Sequence, residues 1–215
     1  MDKGLISNIK INAMILNHNE LEFSENVFNI KKRGDGKKAF LLEREFIQKS
    51  LRRKLFIKKL VEKFNGNSLI LFNNVAYGTE LYNYLRDNII GKYFYYIDGN
   101  TDAEKRSIIK QNMEITDDGI PKILIGSYGT TSTGVNIKAI MNIVFADSSK
   151  SDTRIRQSLG RGLRLHADKL KLIVFDLVDR FHTSYENILY KQYISRKDNI
   201  YKKQEFPFNE IKVNI

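Results

Sequence analysis

Six short apolar runs, set apart by helix-like or turn-like stretches, constrain this chain more than any other feature. "IKINAMIL" (Ile9–Leu16) alternates and reads as a strand. "SLILF" (Ser68–Phe72), "YFYYI" (Tyr93–Ile97), "KILI" (Lys122–Ile125), "NIVFA" (Asn142–Ala146) and "KLIVFDLV" (Lys171–Val178) are short and rich in β-branched or aromatic residues. Their near-continuous apolar character fits strands buried on both faces, as in a parallel sheet. Between the second and third runs, "AYGTELYNYLRDN" places Leu81, Tyr82 and Leu85 at helical spacing. Between the third and fourth, "TDAEKRSIIKQNM" opens with Thr101 and Glu104 in capping-box register. Strand, helix and strand repeated in this way predict an α/β sheet covered on both faces, with right-handed crossovers.

Lys38 to Phe64 contains neither Gly nor Pro and reads as one or two amphipathic helices, with Gly66 as the stop. Its basic stretch, Arg52 to Lys59, fits either a solvated helix face or a DNA contact. After Asp179 the sheet pattern ends. "SYENILYKQYISRKDNIYKK" reads as a helix with an aromatic and aliphatic stripe, followed by a frayed tail around Pro207. The division expected from these patterns is a domain over residues 1–180 and a helical extension over 181–215.

One stretch resists the strand–helix reading. In "LIGSYGTTSTGVNI" (Leu124–Ile137) an apolar run stops at Gly126, and hydroxyls and glycines follow. Such a segment is either a solvated turn or a loop offering backbone N–H and hydroxyl groups to phosphates, and composition leaves both open.

A self-sufficient phosphate loop is missing. Gly36-Lys37 runs into Lys38 and Gly91-Lys92 into Tyr93, neither with the second glycine such a loop requires. No Asp-Glu pair follows a strand to serve as metal ligand and base. The other half of a nucleotide site is present in "QSLGRGLRLH" (Gln157–His166), with the pattern Q-x-x-G-R-x-x-R. On a helix, Gln157, Gly160, Arg161 and Arg164 share one face. Guanidinium forks suit phosphate oxygens in a way Lys does not.

These segments together resemble the second RecA-like domain of superfamily 2 helicases, over roughly residues 2 to 180. Gln157–Arg164 resembles that family's motif VI, Ser127–Ile137 its motif V and Ser68–Gly78 its motif IV, while Ile97–Arg106 resembles the segment that follows. The resemblance implies a RecA-like parallel sheet flanked by helices, in the C-terminal half of an ATP-dependent motor that remodels branched DNA in recombination and repair, as phage enzymes of this kind do. Arg161, Arg164 and Gln157 would act as catalytic groups, the two arginines reaching a γ-phosphate held by another domain. Thr133, Gly134, Asn136 and Gly160 would line the nucleotide and interdomain cleft. Asn136 stands where many relatives carry Asp. Asn73, Asn74, Ser127, Tyr128, Gly129 and Thr130 would contact the nucleic-acid backbone, with Gly129 and Gly134 allowing close backbone approach. Arg106 reads equally as structural. ATP with Mg²⁺ would be bound mainly by a first RecA-like domain, in cis or in trans, and the isolated chain is expected not to turn over ATP.

Charge agrees with such a partner. The 215 residues carry 36 Lys and Arg against 25 Asp and Glu, a net charge of +11. That argues for a polyanion, DNA in the first place with RNA left open, or for a solvated basic surface. A stand-alone nucleic-acid-binding or docking module therefore remains the alternative, with a small α/β enzyme binding nucleotide at 126–134 behind it. The absence of cysteine excludes disulfides and thiolate metal sites, and His18, His166 and His182 form no ligand cluster and read as surface or cap residues. No apolar run approaches the length a bilayer needs, so a soluble chain without a membrane partner is expected, in the cytoplasm, or the host cytoplasm if phage-encoded.

Overall fold

The computed structural model describes residues 8–134, 137–148, 151–162, 171–181 and 186–215; for residues 8, 132–134, 152 and 161–162 it describes the backbone alone. In chain order the elements are β1 (Asn8–Asn17), α1 (Leu21–Lys32), α2 (Gly36–Lys49), α3 (Leu51–Glu62), β2 (Ser68–Phe72), α4 (Val75–Asn88), β3 (Tyr93–Ile97) and α5 (Ala103–Glu114). They continue with β4 (Lys122–Ser127), α6 (Tyr128–Gly134), β5 (Asn142–Phe145), α7 (Asp152–Gly162), β6 (Lys171–Arg180), α8 (Ile188–Arg196), a π-helical turn (Lys197–Lys202) and β7 (Phe208–Asn214). The strands form one sheet in the order β3-β4-β2-β5-β6-β1-β7, and every pairing is parallel. All six expected strands are present.

The central strands are buried on both faces, as their apolar runs require. Leu69, Leu71, Leu124, Ile143 and Phe145 face a core closed by Ile109 and Met113 of α5, Ile155 and Leu159 of α7 and Tyr193 of α8. On the other face, Ile70, Phe72, Ile125 and Val144 meet Ile57 and Val61 of α3 and Leu81 and Leu85 of α4. Each such side chain, fully withdrawn from water, contributes about 1.5–3 kcal/mol. Gly78 permits the close seating of α4 on the sheet, because a Cβ there would stand 2.5 Å from the Phe72 ring.

Four expectations are corrected. The tail beyond Pro207 does not fray: β7 pairs with β1 from Ile11↔Phe208 to Asn17↔Asn214 and belongs to the same sheet as the strands before residue 180. The cap of α5 is Asp102, which accepts from the Lys105 N–H at 2.7 Å, while the Thr101 hydroxyl accepts from the Asp98 N–H at 3.0 Å. Gly66 does not stop a helix, since α3 ends at Glu62. His18 is a core residue rather than a surface or cap one, 3% exposed; His166 and His182 lie outside the described residues. α1 is an addition that sequence reading had not assigned. With α2 it forms a hairpin whose Phe23, Phe40 and Phe46 pack on Phe181 and Leu189. Glu43 of α2 then caps α8 from a distance, accepting from the N–H groups of Ile188 and Leu189 at 2.8 Å each. Burial raises the Glu43 pKa, against the pull of those hydrogen bonds.

Candidate nucleotide and nucleic-acid interface

Open parallel sheets place ligands at the carboxyl ends of their strands. Here that edge gathers Asn73 and Asn74 after β2, the segment from Ser127 after β4, and Asp147 and Ser148 after β5.

Asn74 caps α4, its Oδ1 accepting from the Tyr77 N–H at 3.2 Å. Asn73 Nδ2 donates to the Ser148 carbonyl at 2.7 Å, its backbone N–H donates to Asp147 Oδ2 at 3.2 Å, and its Oδ1 accepts from Arg154 of α7 at 3.4 Å. Both side chains that had been assigned to nucleic acid therefore have internal partners.

Within the stretch that resisted assignment, Tyr128–Gly134 is a short helix rather than a loop. Ser127 Oγ accepts from the Thr130 N–H at 3.2 Å and stands 2.9 Å from Thr130 Oγ1, while Thr131 Oγ1 donates back to the Ser127 carbonyl at 2.8 Å. These bonds, with Tyr128 as anchor, offset the poor helix propensity of Gly, Ser and Thr. Tyr128 is 1% exposed, and its hydroxyl donates to the Asp147 carbonyl at 3.1 Å, so the phenol is a packing group and not a surface contact. A Cβ at Gly129 would meet open space, whereas one at Gly126 would stand 2.6 Å from Thr131 Cγ2. Close approach within the chain thus occurs at Gly126. Thr133 and Gly134 complete α6.

α7 has two faces. Ile155, Ser158 and Leu159 are buried, and Arg154, Gln157 and Gly160 are exposed. No atom lies within 4 Å of a Cβ built at Gly160, so that face is open to another surface. Arg161 is in the last turn of α7. Arg164 and Asn136 lie outside the described residues. Among the described residues no three His, Cys, Asp or Glu side chains converge as metal ligands.

Behind this edge lies a buried polar network that sequence reading missed. Arg53, fully buried, donates from Nε to Asp179 Oδ1 at 2.8 Å, from one terminal nitrogen to the Tyr77 hydroxyl at 2.7 Å and from the other to the Ala146 carbonyl at 2.8 Å. His18 Nε2 stands 2.8 Å from the same Asp179 oxygen. Burial works to raise the Asp179 pKa, but Arg53 and His18 outweigh it and hold the carboxyl below its usual range. Burial pushes the Tyr77 phenol up to about 12. Burial likewise raises the Asp147 pKa, opposed by Arg44 and Arg53; its Oδ1 is buried without a hydrogen-bond partner. An acidic residue directly after an apolar strand run was the available signal for Asp147. Arg53 could not be told from its basic neighbours in sequence. Arg106 reaches the Asp98 and Gly99 carbonyls at 3.4 and 3.3 Å, which favours its structural reading.

A parallel sheet with helices on both faces, with hydroxyl- and amide-rich segments and an arginine-bearing helix at its carboxyl edge, defines a RecA-like domain of the helicase kind. The chain belongs to the helicase conserved C-terminal domain family, whose model matches residues 52–166, more than half of its length. It is 29% identical over 182 residues to the ATP-dependent DNA helicase uvsW of Enterobacteria phage T4, a match over 83% of this chain and 34% of the relative. The chain therefore spans about a third of that helicase's length. The crystal structure of T4 UvsW superposes with a TM-score of 0.71 at 24% identity, covering 98% of this chain and 42% of that one. The C-terminal domain of the DEAD-box protein Dbp5 shares the fold, with a TM-score of 0.60 at 12% identity over 95% of this chain and 90% of that domain. No helix among the described residues is long and apolar enough to cross a membrane.

Proposed function

We propose that this chain is the C-terminal lobe of an ATP-dependent DNA helicase or translocase that remodels branched DNA, and that it completes a nucleotide site held by a first RecA-like domain. The observation that supports this reading is the split of α7, whose apolar residues enter the core while Arg154, Gln157 and Gly160 face outward beside the carboxyl edge of the sheet. An arginine, an amide and an open glycine on one outward face beside the carboxyl edge suit a phosphate-bearing partner.

In this proposal Gln157, Arg161 and Arg164 meet the γ-phosphate side of ATP, and Thr133, Gly134, Asn136 and Gly160 line the cleft between lobes. ATP would supply the phosphoanhydride whose hydrolysis drives the motor. The residues fit one side of such a site: α7 offers neutral and cationic donors, and the ligands for Mg²⁺ would come from the other lobe. Guanidiniums supplied from across a cleft typically contribute about 10³–10⁵ in rate. Because the two halves lie on different lobes, hydrolysis would be coupled to their closing and opening. Nucleic-acid backbone would run along the edge from Asn73 and Asn74 to Ser127, Gly129 and Thr130, met by backbone groups and hydroxyls, since Asn73, Asn74 and Tyr128 bond internally. One relative is a DNA helicase and another, 29% identical over 161 residues, is the "Putative ATP-dependent RNA helicase L396" of Acanthamoeba polyphaga mimivirus; backbone contacts of this kind do not by themselves exclude RNA.

The test is ATP turnover, with and without branched DNA, by this chain alone and after addition of a first RecA-like domain. The expected result is silence alone and DNA-stimulated turnover in the mixture. Turnover by the chain alone contradicts the proposal. Silence in a mixture whose first domain is competent, with DNA binding retained, replaces it with a stand-alone binding module.

A further inference from the structure

A second feature of the carboxyl edge lies outside the segments that resemble family motifs, although it includes Arg52 from the basic stretch of α3. Beyond β5 the edge continues over β6, β1 and β7, and a cleft of about 520 Å³ opens there. Its lining includes Asn17 and Asn19 from the end of β1, Arg180 from the end of β6, Asn214 from the end of β7 and Arg52 from the start of α3. Among the described residues no acidic side chain lines it. His18, which also borders it, is bound to Asp179, whose carboxylate Arg53 shares inside the core.

Local structure explains why one arginine of a pair enters the core and the other does not. Ser50 caps α3, its hydroxyl accepting from the Arg53 N–H at 3.3 Å, and thereby fixes the phase of the first turn. Arg53 points into the core and Arg52, about 100° round the helix, remains exposed at the cleft. Arg52 has no ion-pair partner among the described residues. Arg180 lies 5.1 Å from the Tyr190 ring centroid, which braces its guanidinium. The cleft thus combines two guanidiniums, of which that of Arg180 already has partners within the chain, with the amides of Asn17, Asn19 and Asn214, Asn17 donating to Asn214 at 3.2 Å; phosphate oxygens and sugars take up such groups without base reading. Strand spacing places it roughly 10–19 Å from Asn73, two to four strands along the same edge.

We infer that this cleft is a second contact for the nucleic-acid strand, in which Arg52 and Arg180 hold a backbone phosphodiester and the asparagines its flanking sugar. The inference rests on the reading of the chain as a nucleic-acid motor lobe and extends the strand's path past the segments that the family motifs mark. It gives the edge two anchoring regions, one at β2 and β4 and one at β6, β1 and β7.

The experiment is fluorescence anisotropy of a labelled single-stranded oligothymidylate with the full chain, titrated over a range of salt. Arg52→Ala and Arg180→Gln are compared with Lys110→Ala, an exposed lysine on α5 distant from the cleft. Each cleft variant should weaken binding several-fold at low salt and flatten the log K against log salt slope by about 0.7, the change for one lost phosphate contact on a single strand. Lys110→Ala should leave the slope unchanged, and unfolding curves should show the variants folded. Equal slopes for wild type and both cleft variants overturn the inference while leaving the motor reading intact. Equal flattening by Lys110→Ala also overturns it, because the effect would then be general charge. Oligonucleotide binding insensitive to the cleft variants, with inorganic phosphate binding lost in them, would make this a free-anion site and overturn it as well. If the wild type binds no oligonucleotide, both this inference and the nucleic-acid part of the proposed function fall.

Discussion

Two aspartates near the ends of neighbouring strands show how this edge divides its work. Asp179, in β6, and Asp147, just past β5, are both almost fully buried. Asp179 shares its carboxylate with Arg53 and His18, and its pKa is lowered. Asp147 accepts from the Asn73 N–H, has Arg44 at 3.9 Å, keeps one oxygen without a hydrogen-bond partner, and has a raised pKa. The first carboxylate sits in a completed network that fixes α3 against the sheet. The second lies where the segments after β2, β4 and β5 meet, and its charge is poorly satisfied. Proteins retain incompletely satisfied polar groups chiefly at sites of function. The contrast therefore separates a carboxylate that holds α3 to the sheet from one at the junction of the motif-bearing segments.

The contrast can be broken most forcefully at Arg53. Arg53→Ala leaves Asp179 buried with its main counter-charge removed and should cost about 3–5 kcal/mol in urea unfolding. A loss within 1 kcal/mol would mean that the network is not structural. Next, Asp179→Asn should destabilise by about 1–3 kcal/mol, while Asp147→Asn should be neutral or slightly stabilising at pH 7. Equal losses would erase the distinction between the two carboxylates.

Acid titration sharpens the same point with opposite signs. The lowered folded pKa of Asp179 contributes stability that is present above its unfolded pKa, near 4, and is lost as pH falls through the folded value. The raised folded pKa of Asp147 penalises the folded state at neutral pH, and that penalty is relieved as pH falls through its folded value. Stability measured from pH 7 to 3 should therefore fall less steeply at the acid end in Asp179→Asn than in the wild type. In Asp147→Asn the relief at mildly acidic pH should vanish. The smallest effect is expected for Asn74→Ala, about 1 kcal/mol from the lost cap of α4, read as a small fall in melting temperature. A larger loss of oligonucleotide affinity than of stability would return Asn74 to the role of a direct contact.

The central strands were legible because strands buried on both faces must be apolar throughout, and "SLILF" matches β2 residue for residue. "YFYYI" matches β3 as well, but β3 is an edge strand of which only Ile97 is buried, so its aromatic residues marked a strand without marking burial on both faces. β7 was not legible, because "FNEIKVN" is an exposed edge strand whose support is its pairing with β1, nearly two hundred residues away in sequence, and nothing local announces it. α1 escaped for a related reason: Glu20 makes no side-chain cap, and the helix is secured by docking, with the Ser24 hydroxyl donating to the Phe181 carbonyl at 2.9 Å. At the candidate site, the residues that the resemblance marked gather at the carboxyl edge of the sheet, but residue type did not reveal the direction of each side chain. Tyr128 turns inward, Asn74 caps a helix, and Arg52 and Arg53 go opposite ways. Such outcomes depend on helix phase and neighbours that a motif does not encode. The helix carrying Gln157 was legible because its period is local.

The most direct measurement is the steady-state ATPase of the chain paired with a competent first RecA-like domain, with Arg161→Ala and Arg164→Ala tested beside the wild type and oligonucleotide affinity measured on the same samples. The account predicts that hydrolysis falls by about 10³-fold or more in each variant while affinity stays within about twofold, the small change expected for groups that face phosphate rather than strand. Hydrolysis retained in both variants, or lost only in proportion to nucleic-acid binding, would contradict the role of α7 as the arm that reaches the nucleotide.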